Sequence, residues 1–159
     1  MKLYSLLKRF AAMLAITFSA GSFAADLQIN ADGNDLALHG YDAVSYFSTS
    51  GPVKGSAEYT TSYKDAIYRF ANAENRDEFR ADPEKYAPQF GGYCAMGVAL
   101  NQKLDVDPLA YRVVDGKLYL NLNKQVQTKW MEDVPGNIAT AERNWYGIHN
   151  LTAAQLAAE

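Results

Sequence analysis

Cysteine is almost missing from this sequence: Cys94 is the single one in 159 residues. One thiol cannot close an internal disulfide. A C-x-x-C redox pair lacks its second sulfur, and the C-x-x-C-H attachment of a c-type haem is excluded. The thiol is therefore buried and inert, paired with another chain, or kept for chemistry. Also absent are G-x-S-x-G, a Walker loop, the G-x-G-x-x-G fingerprint and H-E-x-x-H. With them go the usual signatures of hydrolases of the nucleophile-elbow type, P-loop nucleotide enzymes, dinucleotide enzymes and zinc proteases.

The first residues carry Lys2, Lys8 and Arg9 and no acid. The apolar run over residues 10–18 is shorter than the ~20 residues of a bilayer-spanning helix. Ser22-Phe23-Ala24 then places small residues at the two positions a signal peptidase reads. Basic start, short apolar centre and small-residue exit predict a cleavable signal over residues 1–24, cut after Ala24. No twin arginine is present, so the expected route is general secretion to a periplasm or to the medium. An uncleaved anchor is the alternative, but no second basic cluster follows the apolar run.

Three of the 15 basic residues precede that cut; the other 12 face 18 acidic ones, for a net charge of −6. An acidic chain is a poor match for nucleic acid, whose binding needs basic surface, and for anionic lipid once the signal is gone. What the sequence does have is rings: 11 Tyr, 7 Phe and 2 Trp. Each buries a large area, so the expected core is aromatic and single.

Residues 25–37 read from composition as a polar, flexible lead-in. Asp42 can cap a short turn with Val44 and Phe47 inward. Residues 58–63 and 66–70 are β-rich and close enough for a hairpin across Lys64-Asp65. Asn72 is a helix cap, with Glu74 in the first turn and Phe79 and the Arg80 stem on the covered face. Asp82-Pro83 starts a further turn. The run 110–114, Asp115-Gly116, 117–121 predicts a second hairpin with a type I′ turn. Asn123 caps a helix to about Asp133, which Pro135-Gly136 is expected to break. Ile138, Ala141, Trp145 and Ile148 share one face of a last helix over 137–148. Residues 151–159 form an Ala-rich tail. Hairpins alternating with short helices predict a small α+β domain over residues 38–150, antiparallel hairpins packed against several short helices.

The glycine-rich stretch 90–97 holds Cys94 and Met96. Thiolate, thioether and the imidazole of His39 together suit copper(I), with zinc second. Cys94 and Met96 are equally readable as a buried small hydrophobe and a gap filler. His39 reads as a metal ligand, an acid–base group or a polar turn residue. His149 reads as a helix C-terminal residue favoured by the dipole. A Cys94/His39 nucleophile–base pair, oriented by Asp42, Asp105 or Asp107, is a third possibility. Asp105-Val-Asp107 is not a calcium loop, since the required Gly and Glu are missing.

The stretches Leu38-His-Gly-Tyr-Asp-Ala-Val-Ser-Tyr-Phe47, Tyr68-Arg-Phe-Ala-Asn-Ala-Glu-Asn-Arg-Asp77, Asp82-Pro-Glu-Lys-Tyr86, Pro88-Gln-Phe-Gly-Gly-Tyr-Cys-Ala95 and Asp115-Gly-Lys-Leu-Tyr-Leu-Asn121 together resemble the exported YHS-domain proteins of bacteria. The Tyr-His-Ser tripeptide that names that family is absent here. The resemblance implies a compact α+β module and the binding or handling of soft metal ions, copper above all, with Cys94 as the leading ligand. Beside it stands the expectation of a non-catalytic structural or protein-partner-binding domain with a buried cysteine.

Overall fold

The computed structural model describes residues 27–158. The expected signal and its cut after Ala24 lie outside them. No helix among the described residues is long and apolar enough to cross a membrane.

The two expected hairpins are present, each a separate two-stranded antiparallel sheet. The first joins β1 (Ser56–Tyr63) to β2 (Ala66–Phe70), the second β3 (Asp107–Val114) to β4 (Lys117–Asn121). A type I′ turn needs positive φ at both central residues. Asp115 and Gly116 supply 50° and 74° in the second hairpin, and Lys64 and Asp65 supply 49° and 59° in the first, without a glycine. Alternation does the rest: Ala66, Tyr68 and Phe70 are fully buried while Ile67 and Arg69 lie between them on the other face.

Around the hairpins lie short helices. Asn72 Oδ1 accepts from Asn75 N–H at 2.8 Å and opens α1 (Ala73–Ala81), which buries Phe79. The Arg80 side chain is half exposed, and its guanidinium donates to Thr61 Oγ1 and the Thr60 carbonyl of β1. Asp82 caps α2 (Pro83–Tyr86), Cys94 caps α3 (Ala95–Ala99) and Asn123 caps α4 (Lys124–Trp130).

Pro135-Gly136 starts a helix instead of breaking one. The α4 helix ends at Trp130, a single 3-10 turn spans Met131–Asp133, and α5 (Val134–Ile148) follows with Pro135 in its first turn. There a missing N–H costs nothing, and Asp133 Oδ1 accepts from Gly136 N–H at 3.0 Å. The tail ends in α6 (Ala153–Leu156), opened by a Thr152/Gln155 capping box that seats Leu156 in the core.

The polar stretch before residue 38 is built into the domain rather than hanging off it. Asp32 Oδ1 accepts from the N–H groups of Asn34 and Leu36, an Asx turn that folds the segment back. Ala37 N–H then donates to the Ile67 carbonyl and Ile67 N–H to the Asp35 carbonyl. Ile29 is buried in the core. A composition of Asn, Asp and Gly marks turns as readily as mobility, and here it marks turns.

The core has two parts. One gathers Tyr68, Phe70, Phe79, Cys94, Leu118 and Leu120 under the first hairpin. The other gathers Phe90, Val98, Tyr119, Trp130, Ala141 and Ile148 under α5. Strand β4 is the wall between them: Leu118 and Leu120 enter the first part, Tyr119 the second.

Candidate functional site

Cys94 sits where the glycine-rich stretch turns into α3. Before it, Phe90 and Gly91 take left-handed backbone, with φ of 55° and 62°. A Cβ on Gly91 would stand 1.5 Å from the Gln28 carbonyl oxygen. Only glycine permits that approach, so the chain crosses under the N-terminal segment there. The crossing is sealed by Asn30 N–H donating to the Gly91 carbonyl at 2.9 Å. Cys94 follows, with its N–H on the Leu104 carbonyl.

The Cys94 side chain is fully buried. Its sulfur accepts from Gly97 N–H at 3.3 Å and from Leu122 N–H at 3.2 Å, and the thiol lies 3.9 Å from Asn121 Oδ1. The sulfur thus caps α3 and ties it to the end of β4. Burial pushes the thiol pKa up, and the N–H groups of Gly97 and Leu122 oppose that only in part. A thiol held protonated and away from solvent is a poor nucleophile and a poor metal ligand.

Met96, two residues on, packs between the two parts of the core. His39 is elsewhere engaged. It takes left-handed backbone (φ 51°, ψ 28°), and its Nε2 lies 2.9 Å from Asp105 Oδ1. Of the three acids that could orient it, Asp105 is the one brought to it. Asp42 is buried and occupied: Oδ1 accepts from the N–H groups of Val44 and Ser45, while Oδ2 accepts from Ala71 N–H and Asn75 Nδ2. Asp107 Oδ1 accepts from Leu109 N–H at the start of β3. His149 Nδ1 lies at the carbonyls of Trp145 and Tyr146 and so closes the end of α5.

Burial alone would raise the Asp105 pKa. Hydrogen bonds from Asn30 Nδ2, Val106 N–H and His39 outweigh it and hold the carboxyl below its usual value. Beside this pair is a pocket of about 70 Å³ lined by Asn30, Asp32, Leu36, His39 and Asp105 with Ala31. It has room for water but not for a substrate, and none of its residues is Ser, Thr, Cys or Lys. Among the described residues, no hydrogen bond links Cys94 to His39.

The donor set fits a soft metal poorly. Both polar contacts that approach the Cys94 sulfur as donors are backbone N–H groups, His39 is turned to Asp105, and Met96 is packed in the core. Among the described residues, no three His, Cys, Asp or Glu side chains stand close enough to share an ion.

Sequence reasoning missed Lys103. It is 4% exposed, and its Nζ donates to the carbonyls of Leu27, His149 and Leu151 at 2.7–2.8 Å. The ammonium also sits 5.1 and 5.2 Å from the ring centroids of Tyr93 and Trp145. One cation so fastens the two ends of the described chain to the domain. A lysine in a polar loop carries no local signal of that role.

Comparison with protein-family models, with curated proteins and with solved structures finds no match to this chain.

Proposed function

We propose that this is a non-catalytic domain, structural or partner-binding, in which Cys94 serves as an internal cap. The observation that carries this reading is the buried sulfur accepting two backbone N–H groups from different elements. The lining of the small pocket beside the Asp105–His39 pair, which holds no Ser, Thr, Cys or Lys side chain, supports it further. The basic, apolar and small-residue order of residues 1–24 supports placing the mature chain in an exported compartment, where an unpaired thiol is best protected by burial.

The test joins thiol reactivity to metal content. An aromatic disulfide reagent should react with Cys94 at the rate of global unfolding and promptly in denaturant. The protein purified anaerobically without chelator should carry no stoichiometric copper or zinc. Prompt native labelling, or near-stoichiometric copper(I) lost in Cys94→Ala, would return the chain to the metal-handling reading.

A further inference from the structure

A cavity of about 360 Å³ lies away from Cys94 and is within the range of small-molecule sites. The tips of both hairpins contribute to its lining. Lys64 comes from the turn of the first, Lys117 from the start of β4 in the second, and Glu84 from α2. Phe90 and Trp145, whose rings stand 5.9 Å apart, supply apolar wall, and Gln89 an amide. Tyr63, Ala87 and Pro88 and the crossing of residues 28–29 over Gly91, too close for any Cβ there, complete the boundary.

Lys64, Lys117 and Glu84 form no ion pair among the described residues. Two cations and one carboxylate therefore line one cavity without an ion pair, the Lys64 ammonium resting 5.5 Å from the Tyr63 ring centroid, in a chain whose overall charge is negative. Two cations select an anionic group. A carboxylate and an amide beside them accept from and donate to hydroxyls. Aromatic wall suits the C–H face of a sugar ring, whereas a fully apolar ligand would leave the three charges desolvated and unpaired.

We propose that this cavity binds a small hydroxylated carboxylate of the sugar-acid class, its acid on Lys64 and Lys117 and its hydroxyls on Glu84 and Gln89. The proposal goes beyond the internal-cap reading and does not depend on Cys94. Its failure would leave the thiol result untouched, and the reverse holds too.

The test titrates the purified protein with glucuronate, with a linear tri-uronate and with glucose, reading tryptophan fluorescence and amide chemical shifts. Saturable binding of glucuronate with shifts around residues 64, 89 and 117, and none with glucose, is the expected result. Binding of the tri-uronate alone would also support the site and identify a chain end as the source of the acid. Lys64 is a central residue of the first hairpin's turn and Lys117 opens β4, and both are exposed, so the Lys64→Ala/Lys117→Ala variant, whose fold circular dichroism checks, removes charge without touching the core. It should weaken binding by about tenfold or more. No binding of either uronate, equal binding of glucose, or full affinity in the double variant would overturn the proposal.

Discussion

Replacing Lys103 by methionine isolates the ammonium from its stem. Methionine keeps an unbranched side chain in the same channel between Tyr93 and Trp145, so packing is largely preserved. What is lost is a cation that donates to three carbonyls. Hydrogen bonds to charged groups contribute about 1.5–3 kcal/mol each, and each ring contact adds about 0.5–2 kcal/mol. Solvent recovers part of this, because the three carbonyls belong to the chain ends and can rehydrate once those ends loosen. The net loss should be about 3–5 kcal/mol, in the range found when one member of a buried charged set is removed. For a domain of this size that lowers Tm by about 10–20 °C. Urea unfolding followed by tryptophan fluorescence, with Trp145 beside the replaced group, measures it directly. Lys103→Arg should fall between the two, since a planar fork cannot reach three convergent carbonyls as an ammonium does. A Lys103→Met protein within about 1 kcal/mol of the parent would refute the reasoning, because a loss that small is what an exposed pair contributes.

Two other outcomes follow from the same geometry. Asp32 is held below its usual pKa by the N–H groups of Leu36 and Asn34, and Asp105 is held low against the opposing effect of burial by Asn30, Val106 and His39. A carboxyl whose folded pKa is depressed stabilises the fold above its unfolded value of 3.8 and loses that contribution as pH falls through the folded value. The urea midpoint should therefore drop on acidification below about pH 4, less steeply in Asp105→Asn; equal acid limbs would remove Asp105 from the account. Gly91→Ala should cost more than about 3 kcal/mol, since left-handed backbone and a clash with the Gln28 carbonyl act together. Circular dichroism melting checks it, and a near-parental Tm would mean that the crossing yields.

Local rules carried the hairpins and the caps. β-rich runs over 66–70 and 117–121, two-residue turns, and Asn72, Asp82 and Asn123 ahead of their helices are short-range signals that tertiary contacts had no reason to override. Ile138, Ala141, Trp145 and Ile148 fall on one helix face as their spacing requires, all four packed in or against the second core. Pro135 was ambiguous because proline opens helices as well as ending them, and the deciding group, Asp133, acts through its side chain. The lead-in expected over 25–37 is ordered in its described part because, beside the local turn at Asp32, it bonds to Ile67 and Gly91, thirty or more positions away. The candidate site fared worse for the same reason. Cys94, Met96 and His39 were grouped by chemical type, whereas the structure pairs each with groups of another kind. Lys103 and the two hairpin-tip lysines gave no signal at all, since burial and convergence belong to topology.

Strand β4 has a kinetic meaning as well as a structural one. Its side chains alternate between two bodies of core, so a slip of one residue would send Tyr119 where Leu118 and Leu120 belong and empty both at once. Neither body can consolidate before the register of that strand is set, and the register is set by the Asp115-Gly116 turn. The second hairpin should therefore form early in the folding transition state, with substitutions at Gly116 slowing folding. Changes confined to α5 should mainly speed unfolding.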